Sequence, residues 1–130
     1  MADGVLDAGV AIGWIARQHR SLPAIELLFQ ASRNRKILLA ISLVNLAEVI
    51  RHTGEGCRRS GADPLVLLKG AGVEFIPPDE EIVREVASLP TSLADGFAAA
   101  TARVLHARLH TADRELARQL RRLKVHLTLY

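Results

Sequence analysis

Residues 92–113 read SLADGFAAATARVLHARLHTAD, and the fold class turns on this stretch. Ser92 stands as a cap ahead of a helical run to about His106, Arg108–Thr111 has the look of a brief strand, and Asp113 follows it directly. A crossover helix runs antiparallel to the strand it feeds, so its first turn lies at the same sheet edge as that strand's carboxyl end. Asp95, in the first turn, and Asp113, just past the strand, are therefore expected to be neighbours in space although eighteen positions separate them in sequence.

Working outward, short β-type runs alternate with longer helical patterns. Residues 4–7 begin as a strand and residues 10–18 read as a helix. Leu22–Arg33 is a second helix, with Pro23 suited to its first turn and Ile25, Leu28 and Phe29 on one face. Residues 36–41 are apolar without alternation, the pattern of a strand buried on both faces. Ser42 then caps a helix whose inner face is assigned to Leu43, Leu46, Ala47 and Ile50. Residues 52–63, HTGEGCRRSGAD, are glycine-rich and polar and read as a flexible loop. A short helix at 65–69, a strand at 73–76 stopped by Pro77 and Pro78, and a helix at 79–88 broken by Pro90 follow. Beyond the opening stretch come a helix at 113–123 and a strand at 125–129. The expectation is an α/β fold: a single domain over residues 1–130, with a central parallel sheet of about five strands and helices on both faces. In such sheets, sites form beyond the carboxyl ends of the strands, where strand order reverses.

Four acids interrupt or directly follow apolar runs: Asp7 in VLDAGVAI, Glu48 in ISLVNLAEVI, Asp95 in SLADGFAAA and Asp113 in LHTAD. Removing an isolated carboxylate from water costs on the order of several kcal/mol unless something compensates it. Asp7 and Asp113 end strands and Asp95 starts a helix, all at one edge. Glu48 lies six residues past Ser42, roughly 9 Å along a helix axis, and is the least well placed. Each acid also has a local reading. Asp95 fits a capping box with Ser92, Asp113 fits a helix cap, and Glu48 fits a solvated pair with Arg51 or His52. Asp7 has no such easy alternative, because Asp disfavours strands and its flanks are apolar. Together the four call for a shared counter-charge. Carboxylate oxygens without thiolates or a histidine-rich set suit Mg2+ or Mn2+ better than Zn2+, and such an ion serves phosphodiester hydrolysis.

Composition sets the frame. Hydrophobic residues make up 49% and charged residues 24% of the 130, which excludes a disordered chain. No apolar stretch reaches the roughly 18 residues needed to cross a bilayer, and no secretion signal is evident at the N-terminus. The lone Cys57 allows no internal disulfide, so a cytoplasmic setting is expected. Net charge is +3, with a pI near 9.6. Only Lys36, Lys69 and Lys124 are lysines; the other fourteen of the 17 basic residues are arginines, which favour forked contacts with phosphate.

The motifs VLDAGVAIGWI, SLVNLAEVIR, SLADGFAAATA and HTADREL resemble the successive motifs of PIN-domain ribonucleases, and the short chain is most similar to the VapC-like toxins of VapBC toxin–antitoxin pairs. By that resemblance Asp7, Glu48, Asp95 and Asp113 form an acidic quartet that holds one or two Mg2+ or Mn2+ ions, and Thr111 is the hydroxyl residue before the last acid. The resemblance further implies cleavage of single-stranded or looped RNA, a homodimer and inhibition by a cognate antitoxin. The chain departs from the family pattern at three places. Gly9 replaces a polar residue after the first acid, His106 stands where a glycine often ends the helix, and His110 stands at an apolar strand position.

Arg51, Arg58, Arg59 and Arg114 are candidate RNA contacts, set against the plainer reading of solvated arginines. Arg118, Arg121 and Arg122 extend a basic stripe from Arg114. His52 is read as a surface histidine, Trp14 as a core or interface residue, and Cys57 as a loop thiol. The function expected is a metal-dependent endoribonuclease. The alternatives are a non-catalytic PIN-like module that binds RNA or protein and, more remotely, a phosphorylated receiver domain, for which the acidic pair and late lysine are lacking.

Overall fold

Val5, Leu6, Leu39, Ala40, Ile41 and Leu109 are each no more than 1% exposed, so the middle strands are covered on both faces. The computed structural model describes residues 1–130. Its strands are β1 (Gly4–Leu6), β2 (Leu39–Ser42), β3 (Glu74–Ile76), β4 (Arg108–Thr111) and β5 (Leu127–Leu129). They form one sheet in the order β3-β2-β1-β4-β5, every neighbouring pair parallel. The chain builds outward from β1 through β2 to β3, then returns to lay β4 against the other side of β1. Strand order thus reverses between β1 and β4, where Leu6 registers with His110.

Consecutive strand residues divide between two cores, as the period of two requires. Leu6, Leu39 and Ile41 face α1 (Ala8–Ala16), α2 (Leu22–Arg33), α3 (Leu43–Ser60) and α4 (Pro64–Gly70), joining Val10, Trp14, Ile25, Phe29, Val49 and Leu68. Val5, Ala40 and Leu109 face α5 (Glu80–Ala87), α6 (Leu93–Val104) and α7 (Arg114–Leu120), joining Ile82, Val86, Leu116 and Leu120. A 3-10 turn (Arg121–Leu123) follows α7. Ala98, Ala99, Ala100 and Ala102 of α6 are fully buried; small side chains there let the helix sit close on the sheet, and larger ones would overpack it. Trp14 belongs to the core, its ring stacked on Phe29 with centroids 4.0 Å apart.

The expected flexible loop at 52–63 is instead helix: α3 continues to Ser60 and ends on Gly61, whose φ of 77° makes the left-handed cap. Asn45, Val49, Thr53 and Cys57, spaced four apart, carry one buried stripe straight past Gly54 and Gly56, so tertiary packing outweighs the low helix propensity of the glycines. Cys57 is accordingly a buried helix thiol. The inner face of α3 also differs from the assigned one. Leu43, Ala47 and Ile50 are exposed, and only Leu46 is buried as expected. An apolar template selects the wrong stripe because the true one contains polar Asn45 and Thr53. The second strand is displaced as well, to Leu39–Ser42.

Two of the sequence departures find structural partners. His106 has φ 52°, so it makes the left-handed turn that a glycine makes more easily. His110 is 8% exposed, and its Nδ1 lies 2.8 Å from the Tyr130 hydroxyl. A Cβ on Gly4 would come within 2.7 Å of the His110 ring, so the glycine in β1 makes room for the imidazole. Burial, with the Arg108 guanidinium adding to it, holds the imidazole pKa down to about 4.

A Cβ on Gly54 or Gly56 would meet nothing within 4 Å. Gly54→Ala and Gly56→Ala should each raise stability by about 0.5–1 kcal/mol in urea unfolding; a loss at either position would contradict a continuous α3. His110 yields a pH prediction. Its folded pKa lies below the ordinary 6.5, so the unfolded chain takes up the proton first. The stability it contributes is complete above pH 6.5 and is lost as pH falls from 6.5 towards 4, by about 3 kcal/mol in all. Stability measured across that interval should decline less steeply in His110→Gln than in the wild type; equal slopes would count against the buried neutral imidazole.

Candidate functional site

The site is built around the end of β1. Asp7 is 5% exposed and makes three side-chain hydrogen bonds. Its Oδ1 accepts from the Val10 N–H at 2.9 Å, capping α1. Its Oδ2 accepts from the Thr111 hydroxyl and from the Ala112 N–H at 3.3 Å. The Asp7 backbone N–H donates to the His110 carbonyl at 3.0 Å. One carboxylate thereby fastens β1 to the end of β4 at the point where strand order reverses. Burial pushes its pKa above the usual carboxylate range. The bonds from Thr111, Val10 and Ala112 oppose that rise, and the Asp95 charge adds to it.

Asp113 caps α7, its Oδ1 accepting from Glu115 N–H at 2.9 Å and Leu116 N–H at 3.1 Å. The capping role therefore coexists with membership of the acid cluster, because both bonds fall on one oxygen. Thr111 serves both acids, since its hydroxyl also accepts from the Asp113 N–H at 3.0 Å. At the start of α6, Ser92 Oγ accepts from the Asp95 N–H at 3.4 Å, which is half a capping box. On α3, the Asn45 amide donates to Glu48 Oε1 at 3.0 Å and to the Ala94 carbonyl at 2.9 Å. Sequence reasoning passed over Asn45; its only signal was an amide three residues before an acid on the same helix. The ion pairs of the fold join Arg17 to Glu26, Arg103 to Glu85 and Arg118 to Glu115. None neutralises a member of the quartet, and the suggested pairing of Glu48 with Arg51 or His52 is not among them.

Asp7, Glu48, Asp95 and Asp113 line one cleft of about 480 Å³, together with Ala8, Gly9, Ile12, His52, Ala112 and Arg114. Four sequence-distant acids thus meet at the carboxyl edge of the sheet. No three of them converge tightly enough to form a ready-made cation cage. The donor set fits a hard divalent cation all the same: it is all carboxylate, no ion pair joins any member to an arginine or lysine, and the chain holds one member buried. Gly9 leaves a corner open beside the site, where an added Cβ would sit in ordinary contact with Asp7 Oδ1 and Ala112 Cβ, both at 3.5 Å. Arg114 and His52 line the cleft, and Arg51 lines a smaller depression shared with Glu48 and His52. Arg58 and Arg59 stand apart, on the last turns of α3, about 15 Å along the axis from Glu48. A second cleft, of about 460 Å³ and lined by Arg103, His106, Lys124 and His126, lies at the opposite edge. There α6 and the 3-10 turn end, and cations are what helix C-termini attract.

A doubly wound parallel sheet with four carboxylates gathered at its switch point defines a class of acidic-site α/β domain. The PIN domain family model matches residues 4–121, and the chain belongs to that family. Solved structures share the fold. A toxin–antitoxin complex from Klebsiella pneumoniae aligns with a TM-score of 0.68 at 16% identity, over 98% of this chain and 98% of that chain. VapBC2 from Rickettsia felis, bound to a promoter DNA fragment, aligns with a TM-score of 0.67 at 16% identity over 98% of each chain. FitAcB from Neisseria gonorrhoeae aligns with a TM-score of 0.65 at 18% identity over 95% of each. No curated protein matches the sequence at a significant level. No helix is long and apolar enough to cross a membrane.

Thr111→Val keeps the shape of the side chain and removes the hydroxyl donor to Asp7. The Asp7 carboxyl should then titrate higher, read from its side-chain carbon shift. The variant should lose about 1.5–3 kcal/mol of stability near pH 7, the worth of a hydrogen bond to a charged group. The loss should shrink on acidification, because that bond favours the ionised form; a pH-independent loss would point to packing alone.

Proposed function

We propose that this chain is a Mg2+- or Mn2+-dependent endoribonuclease acting on single-stranded or looped RNA, and the toxin of a toxin–antitoxin pair. The observation that carries the proposal is the quartet, free of ion pairs, in one cleft at the switch point of a PIN domain. Toxin–antitoxin complexes among its structural neighbours support the biological role, with a cognate antitoxin, and a second copy of the chain, as partners in the cytoplasm.

Asp7, Asp95 and Asp113 would hold the ion, with Asp7 kept in place by Thr111. Glu48, on a longer side chain at the cleft wall, would bind the ion through a water and position that water for attack. When bound, the cation supplies Lewis acidity towards the phosphodiester and balances the developing negative charge. Arg114 and His52, both lining the cleft, would contact the RNA backbone, and Arg51 would extend that contact along α3. The remote arginines Arg58 and Arg59 would reach only a longer strand. A non-catalytic binding module is the competing reading, favoured by the absence of a pre-closed set of ligands.

Incubation with single-stranded RNA in Mg2+ or Mn2+ separates the two. The wild type should cleave, EDTA should abolish cleavage, and Asp95→Asn should lower the rate by at least about a hundredfold, since loss of even an outer partner of a metal site costs 10–100-fold. Equal cleavage by the wild type and Asp95→Asn would defeat the enzymatic proposal, and RNA binding without cleavage would favour the module.

A further inference from the structure

We infer that Asn45 is a positioning residue that ties Glu48 to the end of α6 carrying Asp95, so that one amide sets the spacing of two acids from opposite layers. The inference rests on the metal-dependent reading of the site. Asn45 is 1% exposed and sits in the buried stripe of α3, where an apolar side chain is the ordinary occupant. Its Nδ2 donates at 3.0 Å to Glu48 Oε1, one turn along the same helix, and at 2.9 Å to the carbonyl of Ala94, the residue before Asp95. Both partners are acceptors, so only the NH2 end of the amide can face them and the orientation of the side chain is determined.

The other end of the amide shows what the residue is for. Asn45 Oδ1 is buried and has no hydrogen-bond partner. A buried unsatisfied acceptor lowers stability, and an apolar group of the same shape would avoid that loss. Stability alone therefore does not account for asparagine here, whereas the two donated bonds do. α3 packs in the layer on one face of the sheet and α6 in the layer on the other, and the amide bridges them at the edge where the acids gather. Glu48 has several rotatable bonds and is only partly buried. Without the bond its carboxylate is free to swing away from three like charges. With it, one oxygen is pinned and the other is left for the cleft.

A double-mutant cycle tests the role, using Asn45→Leu, Glu48→Ala and the pair together. Three measurements are needed: Mn2+ affinity of RNA-free protein from the electron paramagnetic resonance signal of free Mn2+, cleavage of single-stranded RNA, and urea unfolding in EDTA. Asn45→Leu should unfold at the wild-type urea concentration or above it, while Mn2+ affinity and cleavage both fall about 10–100-fold. In the Glu48→Ala background, the same substitution should cost less than threefold. Wild-type affinity and cleavage in folded Asn45→Leu, or an equal penalty in both backgrounds, would overturn the positioning role. Asn45→Ala repeats the comparison without added bulk, and if both variants unfold much earlier than the wild type, Asn45 is a packing residue and the inference falls. Should Glu48→Ala leave Mn2+ binding and cleavage untouched, the reading of the whole site fails and takes this one with it. If Glu48→Ala impairs both and Asn45→Leu neither, only the positioning role is lost.

Discussion

The burial of a single carboxylate, Asp7, at the junction of β1 and β4 is the constraint on which the rest of this structure depends. An ion in that position is tolerated only if hydrogen-bond donors surround it, and each donor comes from an element that must itself be in place. Val10 supplies one from the first turn of α1, while Thr111 and Ala112 supply two from the end of β4. Satisfying Asp7 therefore sets the register of β4 on β1 and the direction in which α1 leaves the sheet. The same hydroxyl accepts from the Asp113 N–H, so the second acid is located by the demands of the first.

The donors stabilise Asp7 without neutralising it, and the net effect of its surroundings still pushes the carboxyl above its usual range. Glu48, Asp95 and Asp113 line the same cleft, and no arginine or lysine of the chain pairs with any of them. A fold concerned only with stability would disperse these charges or cover them with one of its fourteen arginines. Concentrating them at the switch point is a local cost to the fold, and the unpartnered oxygen of Asn45 beside them is of the same kind. Both features mark places where the fold forgoes its most stable arrangement.

Much of this was legible in the residues. The alternation of short apolar runs and helical patterns gave the five parallel strands, most clearly β1 and β2, which are buried along their whole length. Arg108–Thr111 and Leu22–Arg33 were read with the bounds they have in the fold. The edge position of Asp7 and Asp113 followed from their places at strand ends, and that of Asp95 from the antiparallel run of its crossover helix. Where reading failed, it failed on context. Gly54 and Gly56 signal a turn locally, but the helix through them is held by Thr53 and Cys57 packing inward. The inner face of α3 was misassigned because a buried asparagine does not look like a core residue until its partners 3 and 49 positions away are known.

By itself, then, the order of residues determined the class of fold, the edge at which the acids lie and the oxygen-only chemistry of the site, since all three depend on local pattern and side-chain type. The tertiary structure alone decided which oxygens remain free, that Thr111 serves two acids at once, that Gly4 yields its space to His110, and that Asn45 joins two layers. These are matters of distance between groups remote in the chain, and a hydrogen bond's reach of about 3 Å is set by packing that no local pattern encodes.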